Sequence, residues 1–332
     1  MKALQLNNEL KDPIHIIEVD KPVPGSGQVL VAIKAASLNH RDQWCREGKY
    51  PGIKNHVTLG SDGAGVVVAL GEGVSESWLN AEVVINPNIG WGDNPEVQSK
   101  SYHILGMPTD GTFAEFLVVD SDRLVLKPAH LSFEETAALP IAGMTAYRAL
   151  MTRAKVGKAD KVLVTGIGGG VSQFAAIFLN ALGIEFYVTS GNDEKIENAK
   201  RAGAVDGFNY KSEFWWKEAL NVSGGFDVII DSAGGDLVNT YLKIIKPAGR
   251  MVFYGSTAGM PKSFDMFKLF WSQVSVFGST MANDSEFEEM VSFMEKHQIK
   301  PVIDSVRPFE KIISAFDKMR EGNQTGKLVI SF

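Results

Sequence analysis

The stretch richest in chemistry is Gly166-Ile167-Gly168-Gly169-Gly170, set between the apolar run Val162–Val164 and apolar residues at helical spacing over 171–179. A second apolar run over 185–189 completes strand, turn, helix and strand, a βαβ unit. Its first turn can bring backbone N–H groups and a helix N-terminus up to a pyrophosphate, so Gly166, Gly168, Gly169, Gly170 and Val171 are expected to bind a dinucleotide. Two registers are open: Gly166-x-Gly168-x-x-Val171, or Gly166-x-x-Gly169-x-x-Ser172 with a small residue in last place. The second strand ends in Ser190, not in the Asp or Glu that takes a ribose 2′-hydroxyl. Nothing there repels a 2′-phosphate, and Lys195 in the next helix can supply positive charge. NADP(H) is therefore the expected cofactor, with Asp193 and Glu194 read as helix-capping carboxylates.

The elements that must hold this turn fall into two textures. Residues 1–125 read as mostly β, with short runs at 14–19, 29–35, 65–70, 81–85, 113–119 and 124–126 divided by Gly, Pro and Asn, as in a compact barrel-like domain. From the capping box Ser132-Phe133-Glu134-Glu135 onward, helical and strand runs alternate to about residue 277, which predicts a doubly wound parallel sheet over 126–277. The tail, 278–332, shows one helix at 286–296 and a last strand at 327–330, expected to return to the first domain.

A chain of 332 residues is long enough for two cores. Its net charge of −6 argues against nucleic acid or an anionic membrane as the main partner. One cysteine, Cys45, excludes an internal disulfide and fits a reducing compartment. The opening MKALQL leads straight into strand-like sequence, and no apolar stretch reaches a membrane span, so a cytoplasmic enzyme acting on a small molecule is expected.

Several stretches are collinear with one family over essentially the whole chain: residues 24–31, Leu59-Gly60-Ser61-Asp62-Gly63-Ala64-Gly65, Gly111-Thr112-Phe113-Ala114-Glu115-Phe116, residues 139–147, the βαβ unit, and Gly326-Lys327-Leu328-Val329-Ile330. The chain resembles a medium-chain dehydrogenase/reductase. That resemblance implies an α/β fold: a GroES-like β-rich domain from 1–125 and 278–332, with a Rossmann domain, 126–277, inserted between its halves. It also implies a homodimer paired through the edge strand near 274–279.

Within the superfamily the chain is most similar to the zinc-free quinone oxidoreductase-like branch. Asn39 stands where the zinc branch has its first cysteine, Ser61 where it has histidine, and Ile141 or Ala142 where it has its third ligand; residues 86–111 lack the four cysteines of a structural zinc. No metal site is expected. His40, Cys45, His56 and Asp62 share a region, but five residues from His40 to Cys45 is not a usual zinc spacing. Without a Lewis acid, oxidation of a simple alcohol is hard at neutral pH. Hydride addition to a quinone or an enone is easier, because the charge spreads over a conjugated anion that hydrogen bonds can stabilise.

The branch pattern Asn-x-x-Asp then Gly-x-Tyr falls on Asn39, Asp42, Gly48 and Tyr50. The resemblance places Asn39 beside the nicotinamide, Tyr50 as donor to the developing oxyanion, and Asp42 as a residue orienting its neighbours. It also places Thr145 at the nicotinamide end, Tyr210 beside a 2′-phosphate, and Lys327 near the phosphates. Tyr254-Gly255 and Phe277-Gly278 end strands on the expected cofactor edge. The expected activity is NADPH-dependent reduction of a quinone or α,β-unsaturated carbonyl. The alternatives are a zinc-type alcohol dehydrogenase with atypical ligands and a non-catalytic NADPH-binding protein.

Overall fold

The computed structural model describes residues 1–332 as two compact units, one of Met1–Ala142 with Asn283–Phe332 and one of Gly143–Ala282. The sequence texture puts the junctions at 125/126 and 277/278, so residues 126–142 join the first unit and 278–282 the second. The reason is packing. The short helix Phe133–Ala137, started by the Ser132 cap (Ser132 Oγ accepts from Glu135 N at 3.2 Å), lies on the strands Gln28–Ser37 and Asp62–Leu70. Ala137 and Ala138 are fully buried there with Ala35, Ala64 and Val329. A helix start in the sequence marks a change of secondary structure, not a change of core.

The first unit is built on a seven-stranded sheet in the order Leu124–Leu126, Glu82–Ile85, Asp62–Leu70, Gln28–Ser37, Lys327–Ser331, Ile303–Pro308, with Phe116–Asp120 also paired to Gln28–Ser37. A three-stranded sheet, Ile14–Glu18, Lys2–Leu6 and Val57–Thr58, lies in the same unit. The tail carries two helices, not one: Asp284–Lys296 and Ile312–Glu321. The second is legible in retrospect, because Ile312, Ala315, Phe316 and Met319 repeat at helical spacing and are the buried face. Phe113 and Phe316 meet edge to face at 6.0 Å in the core of this unit.

The second unit is a six-stranded sheet ordered Asp206–Asn209, Phe186–Ser190, Val162–Val164, Phe226–Asp231, Ile245–Phe253, Ser275–Gly278, with every pairing parallel. Strand order reverses beside Val162–Val164, so the glycine turn that follows it stands at the switch point, outside the carboxyl ends of the strands. The helix Gly170–Leu182 buries Phe174, Ala175, Phe178 and Leu179 and stops at Gly183, whose φ of +66° suits glycine.

Residues 86–111 hold together without cysteine. Trp91 and Tyr102 pack edge to face at 5.2 Å, the Trp91 indole donates to Asn94 O at 3.1 Å, and Tyr102 Oη donates to Asn88 Oδ1 at 2.6 Å. Arg123 donates to Asn88 O at 2.8 Å and ties the segment to Asp284, also at 2.8 Å. Trp91 is almost fully buried. Trp91→Ala is expected to cost about 3 kcal/mol in urea unfolding and to open residues 86–111 to limited proteolysis; an unchanged cleavage pattern would contradict the aromatic clip.

Candidate active site

In the first unit the site grows around Lys327, at the start of the Lys327–Ser331 strand. Its ammonium donates to Leu38 O at 2.9 Å, Asn39 Oδ1 at 2.7 Å and Asp62 Oδ2 at 2.9 Å. That accounts for its three hydrogens, and the side chain is only 4% exposed. The expectation that Lys327 reaches cofactor phosphates is therefore corrected: an ammonium with all its donors engaged inside the unit has nothing left for a phosphate. Asp62 is fully buried and accepts further bonds from Ser37 Oγ at 3.0 Å and Ile141 N at 2.9 Å. Removing one partner of such a pair leaves a buried charge and typically costs about 3–5 kcal/mol.

Lys327 fixes the Asn39 amide. With Oδ1 on the ammonium, the Nδ2 hydrogens face away from that bond, and no protein atom accepts them. Asp42, expected among the catalytic residues, is fully buried at the first turn of the helix His40–Arg46, where its Oδ2 accepts from Asn39 N at 2.8 Å. It holds the Asn39 backbone, in the orienting position expected of it. Burial raises its carboxyl from the usual 3.8 to about 6, against the opposing pull of Arg41 and the Asn39 hydrogen bond. Cys45, one turn on, is fully buried, and burial pushes its thiol up to about 12, so it is a core side chain and not a thiolate ligand.

Arg41 was not singled out by the sequence. Its guanidinium, 6% exposed, donates from Nε to Tyr50 Oη at 3.3 Å, from Nη1 to Ser61 Oγ and to Leu105 O at 2.8 Å, and from Nη2 to Met107 O at 3.2 Å. Ser61 Oγ in turn donates to Leu105 O at 2.7 Å. Tyr50 is half-buried, with the guanidinium carbon 4.7 Å from its ring centroid. Of the positions matched to zinc ligands, Asn39 is bonded to lysine and Ser61 to arginine. No group of three or more His, Cys, Asp or Glu side chains is placed to hold a metal ion.

In the second unit the glycine turn fits a dinucleotide phosphate. Gly166 has a φ of +62° and no neighbour within 4 Å of where a Cβ would stand, so the turn is open there. Gly169 is the N-cap of the helix and offers no side chain to its first N–H groups, at Gly170 and Val171. Ser172 is buried, its hydroxyl reaching Gly166 O at 2.7 Å and Gly169 O at 2.8 Å. It is the small closing residue, which selects the Gly166-x-x-Gly169-x-x-Ser172 register over the one ending at Val171.

Two lysines approach the strand end. A Cβ added at Gly168 would meet Lys195 Nζ at 2.8 Å, and one at Gly191 would meet Lys211 Cε at 2.7 Å and Tyr210 Oη at 2.9 Å. Ser190 Oγ accepts from Asn192 N at 3.1 Å. Lys211 went unnoticed in the sequence; its position two residues after Asn209, at the end of the adjacent strand, is what carries it there.

The remaining expected residues have differing environments. Thr145 is buried in the helix Pro140–Tyr147. Tyr254 follows its strand, its N–H bonded to Asp231 O at 3.0 Å, and burial pushes its phenol up. Gly255 is required by space, since a Cβ would lie 2.8 Å from Ser232 O. Gly278 is not: a Cβ there meets nothing, and its carbonyl accepts from Arg153 Nε at 2.9 Å, with the guanidinium 5.7 Å from the Phe277 ring. Asp231, another residue the sequence did not single out, ties two strand ends together. Its Oδ1 accepts from Thr165 at 2.5 Å and Tyr241 at 2.8 Å, and its Oδ2 from the N–H groups of Ala233 at 2.9 Å and Gly234 at 2.7 Å.

Comparison with known proteins agrees with this geometry. Residues 25–129 match the alcohol dehydrogenase GroES-like domain family and residues 170–296 the zinc-binding dehydrogenase family. The zinc-type alcohol dehydrogenase-like protein YogA of Leptosphaeria maculans is 38% identical, over 96% of this chain and 94% of its own. A crystal structure of an NAD-dependent alcohol dehydrogenase superposes with a TM-score of 0.94 at 33% identity, covering 100% of both chains. A crotonyl-CoA carboxylase/reductase, AntE, in complex with NADP superposes at 0.87 and 24% identity, covering 100% of this chain and 94% of its own, which speaks to fold alone. The chain belongs to the medium-chain dehydrogenase/reductase superfamily and is alcohol dehydrogenase-like. It is thus an oxidoreductase of a family that binds nicotinamide cofactors. No helix is long and apolar enough to cross a membrane.

Asp42 gives a pH signature. Its carboxyl binds a proton more tightly in the folded chain, at about 6 against 3.8, so the stability it adds is full below about pH 3.8 and is lost as pH rises through 6. The whole effect is on the order of 3 kcal/mol, with about 1.4 kcal/mol of it between about pH 5 and about pH 8. Asp42→Asn keeps an acceptor for Asn39 N–H and is expected to remove that part of the pH dependence from urea unfolding. Identical slopes in the variant and the natural chain would contradict it.

Proposed function

We propose that this protein is an NADPH-dependent, metal-independent reductase of conjugated acceptors, a quinone or an α,β-unsaturated carbonyl, and that it works as a homodimer. The observation that carries the reading is the donor set in the first unit. The positions matched to zinc ligands hold Asn39, with unclaimed Nδ2 hydrogens, and Ser61, capped by a guanidinium. These are hydrogen-bond donors and their supports, suited to an oxyanion and unsuited to Zn²⁺, which takes thiolate, imidazole or carboxylate.

Gly166–Gly170 and the first N–H groups of the following helix would hold the pyrophosphate, with Lys195, Lys211, Tyr210 and the uncharged Ser190 about the 2′-phosphate. Bound NADPH supplies the hydride. The chain's own part is to hold the acceptor and to meet the charge that develops on its oxygen. Asn39 Nδ2 and Tyr50 Oη are the donors assigned to that oxygen, and Lys327 and Asp42 keep the Asn39 amide and backbone in place. Preformed donors of this kind act with little reorganisation.

The test compares initial rates with NADPH and NADH, using an aromatic quinone and a small enone. NADPH is expected to be preferred by about 10²-fold in kcat/KM, the worth of one or two charge-assisted hydrogen bonds. Lys211→Ala is expected to raise the KM for NADPH about 10-fold while leaving that for NADH within about 2-fold. Dialysis against a chelator is expected to leave rate and melting temperature unchanged; loss of activity restored by zinc would overturn the metal-independent reading, and a preference for NADH would overturn the cofactor assignment.

The homodimer rests on the sheet edge. Ser275–Gly278 is hydrogen-bonded to a neighbour on one side only, and Val276 is exposed. The helix before it, Met266–Trp271, exposes Met266, Phe267, Phe270 and Trp271, with the rings of Phe267 and Trp271 stacked at 5.9 Å. An open strand beside an apolar patch suits a second copy. Light scattering is expected to give a dimer, and Val276→Lys with Trp271→Glu a monomer. A monomeric natural chain at micromolar concentration would sink the assignment.

A further inference from the structure

The Arg41 guanidinium is buried and forms no ion pair with a carboxylate. Its neighbours are four oxygens, three of them carbonyl or serine oxygens closed inside the unit. The fourth, Tyr50 Oη, belongs to a side chain that keeps partial exposure. Its hydrogen-bond partners are all neutral, the buried Asp42 carboxyl acting on it only through space, and burying a cation in this way is costly. What this one does locally is set by direction: Nε–H donates to Tyr50 Oη, so a lone pair of the phenol is occupied and its own O–H is turned away from the positive charge. No protein atom accepts that O–H, whereas the neighbouring phenol of Tyr102 gives its proton to Asn88. A hydroxyl that accepts from a cation becomes a stronger donor, because each bond in a chain polarises the next.

We propose that Arg41 is a positioning residue that acts through Tyr50, making its hydroxyl a cation-backed donor for a planar conjugated oxyanion, the class that includes enolates, quinol anions and phenolates. Ser61, Leu105 and Met107 hold the guanidinium in the one orientation that puts Nε on the phenol. A lysine has no planar fork with which to serve four acceptors at once, so the choice of arginine follows. The proposal rests on the reductase reading only for where it enters a reaction; the binding of an oxyanion stands apart from turnover.

The experiment is a titration with 4-nitrophenolate, followed by its visible absorbance, into the full chain saturated with NADP⁺, at a pH where the probe is anionic. Tyr50→Phe and Arg41→Gln are each expected to weaken binding about 10-fold. The double variant is expected to bind within about 2-fold of Tyr50→Phe alone, because the arginine works through the phenol. A structural effect of Arg41 that does not run through Tyr50 would instead add its own loss to that of Tyr50→Phe. Arg41→Lys, run in the same cycle, keeps the charge and replaces the Gln variant if that one does not fold; it is expected to show a smaller loss with the same dependence on Tyr50. Losses that multiply in the double variant, undiminished binding to both Arg41 variants, or no binding to the natural chain would overturn the proposal. Absent turnover with every quinone and enone, together with the non-additive pattern, would refute the reductase reading and leave the Arg41–Tyr50 pair standing.

Discussion

A lysine ammonium removed from water needs an oxygen for each of its hydrogens, and in this protein that requirement organises the first unit. Lys327 is met by a backbone carbonyl, an amide oxygen and a carboxylate from positions 265 to 289 residues away along the chain. Satisfying it brings the end of the Gln28–Ser37 strand, the start of Asp62–Leu70 and the tail strand to one point. The same three bonds set which way the Asn39 amide faces. A structural ion pair thereby decides which atom of a neighbouring side chain is left to do chemistry.

The second unit uses the same logic with the charge reversed. Asp231, fully buried, has two hydroxyls and two backbone N–H groups on its oxygens. They come from Thr165 just after the Val162–Val164 strand, from Tyr241 in the helix Leu237–Ile244 and from the turn after Phe226–Asp231. The carboxyl edge of the sheet is thus stiffened where the glycine turn leaves it. Open backbone at Gly166 and lysines at its flank sit on a support whose polar atoms are already satisfied.

The family is named for zinc, and the departures in this chain are coherent. Asparagine, serine and an apolar pair replace three ligands, and the space about Ser61 is taken by a guanidinium. The segment where a second metal would sit is closed by an indole and a phenol. At each of these places the chain has hydrogen bonds or packing, which is what the proposed stabilisation of an anion by donors rests on.

Much was legible in the sequence because it is local. The βαβ unit, the Ser132 cap, the alternation that makes a parallel sheet and the strand-rich start all follow from periodicity and turn residues within a few positions. Ser190 at a strand end and Lys195 a few residues on were legible for the same reason. The helix Ile312–Glu321 was equally readable and was passed over. What no local pattern contains is the partner of a charge. Lys327 looked like a phosphate ligand until its three acceptors were in place, Asp42 was expected to orient its neighbours but the atom it holds, Asn39 N, was not legible, and Arg41 carried no local signal for the four oxygens that close around it. The sequence determined which elements form and which residues could act; only the tertiary structure decided which of them remain free to act, since a hydrogen-bonding group taken up by a distant partner is no longer available to a ligand.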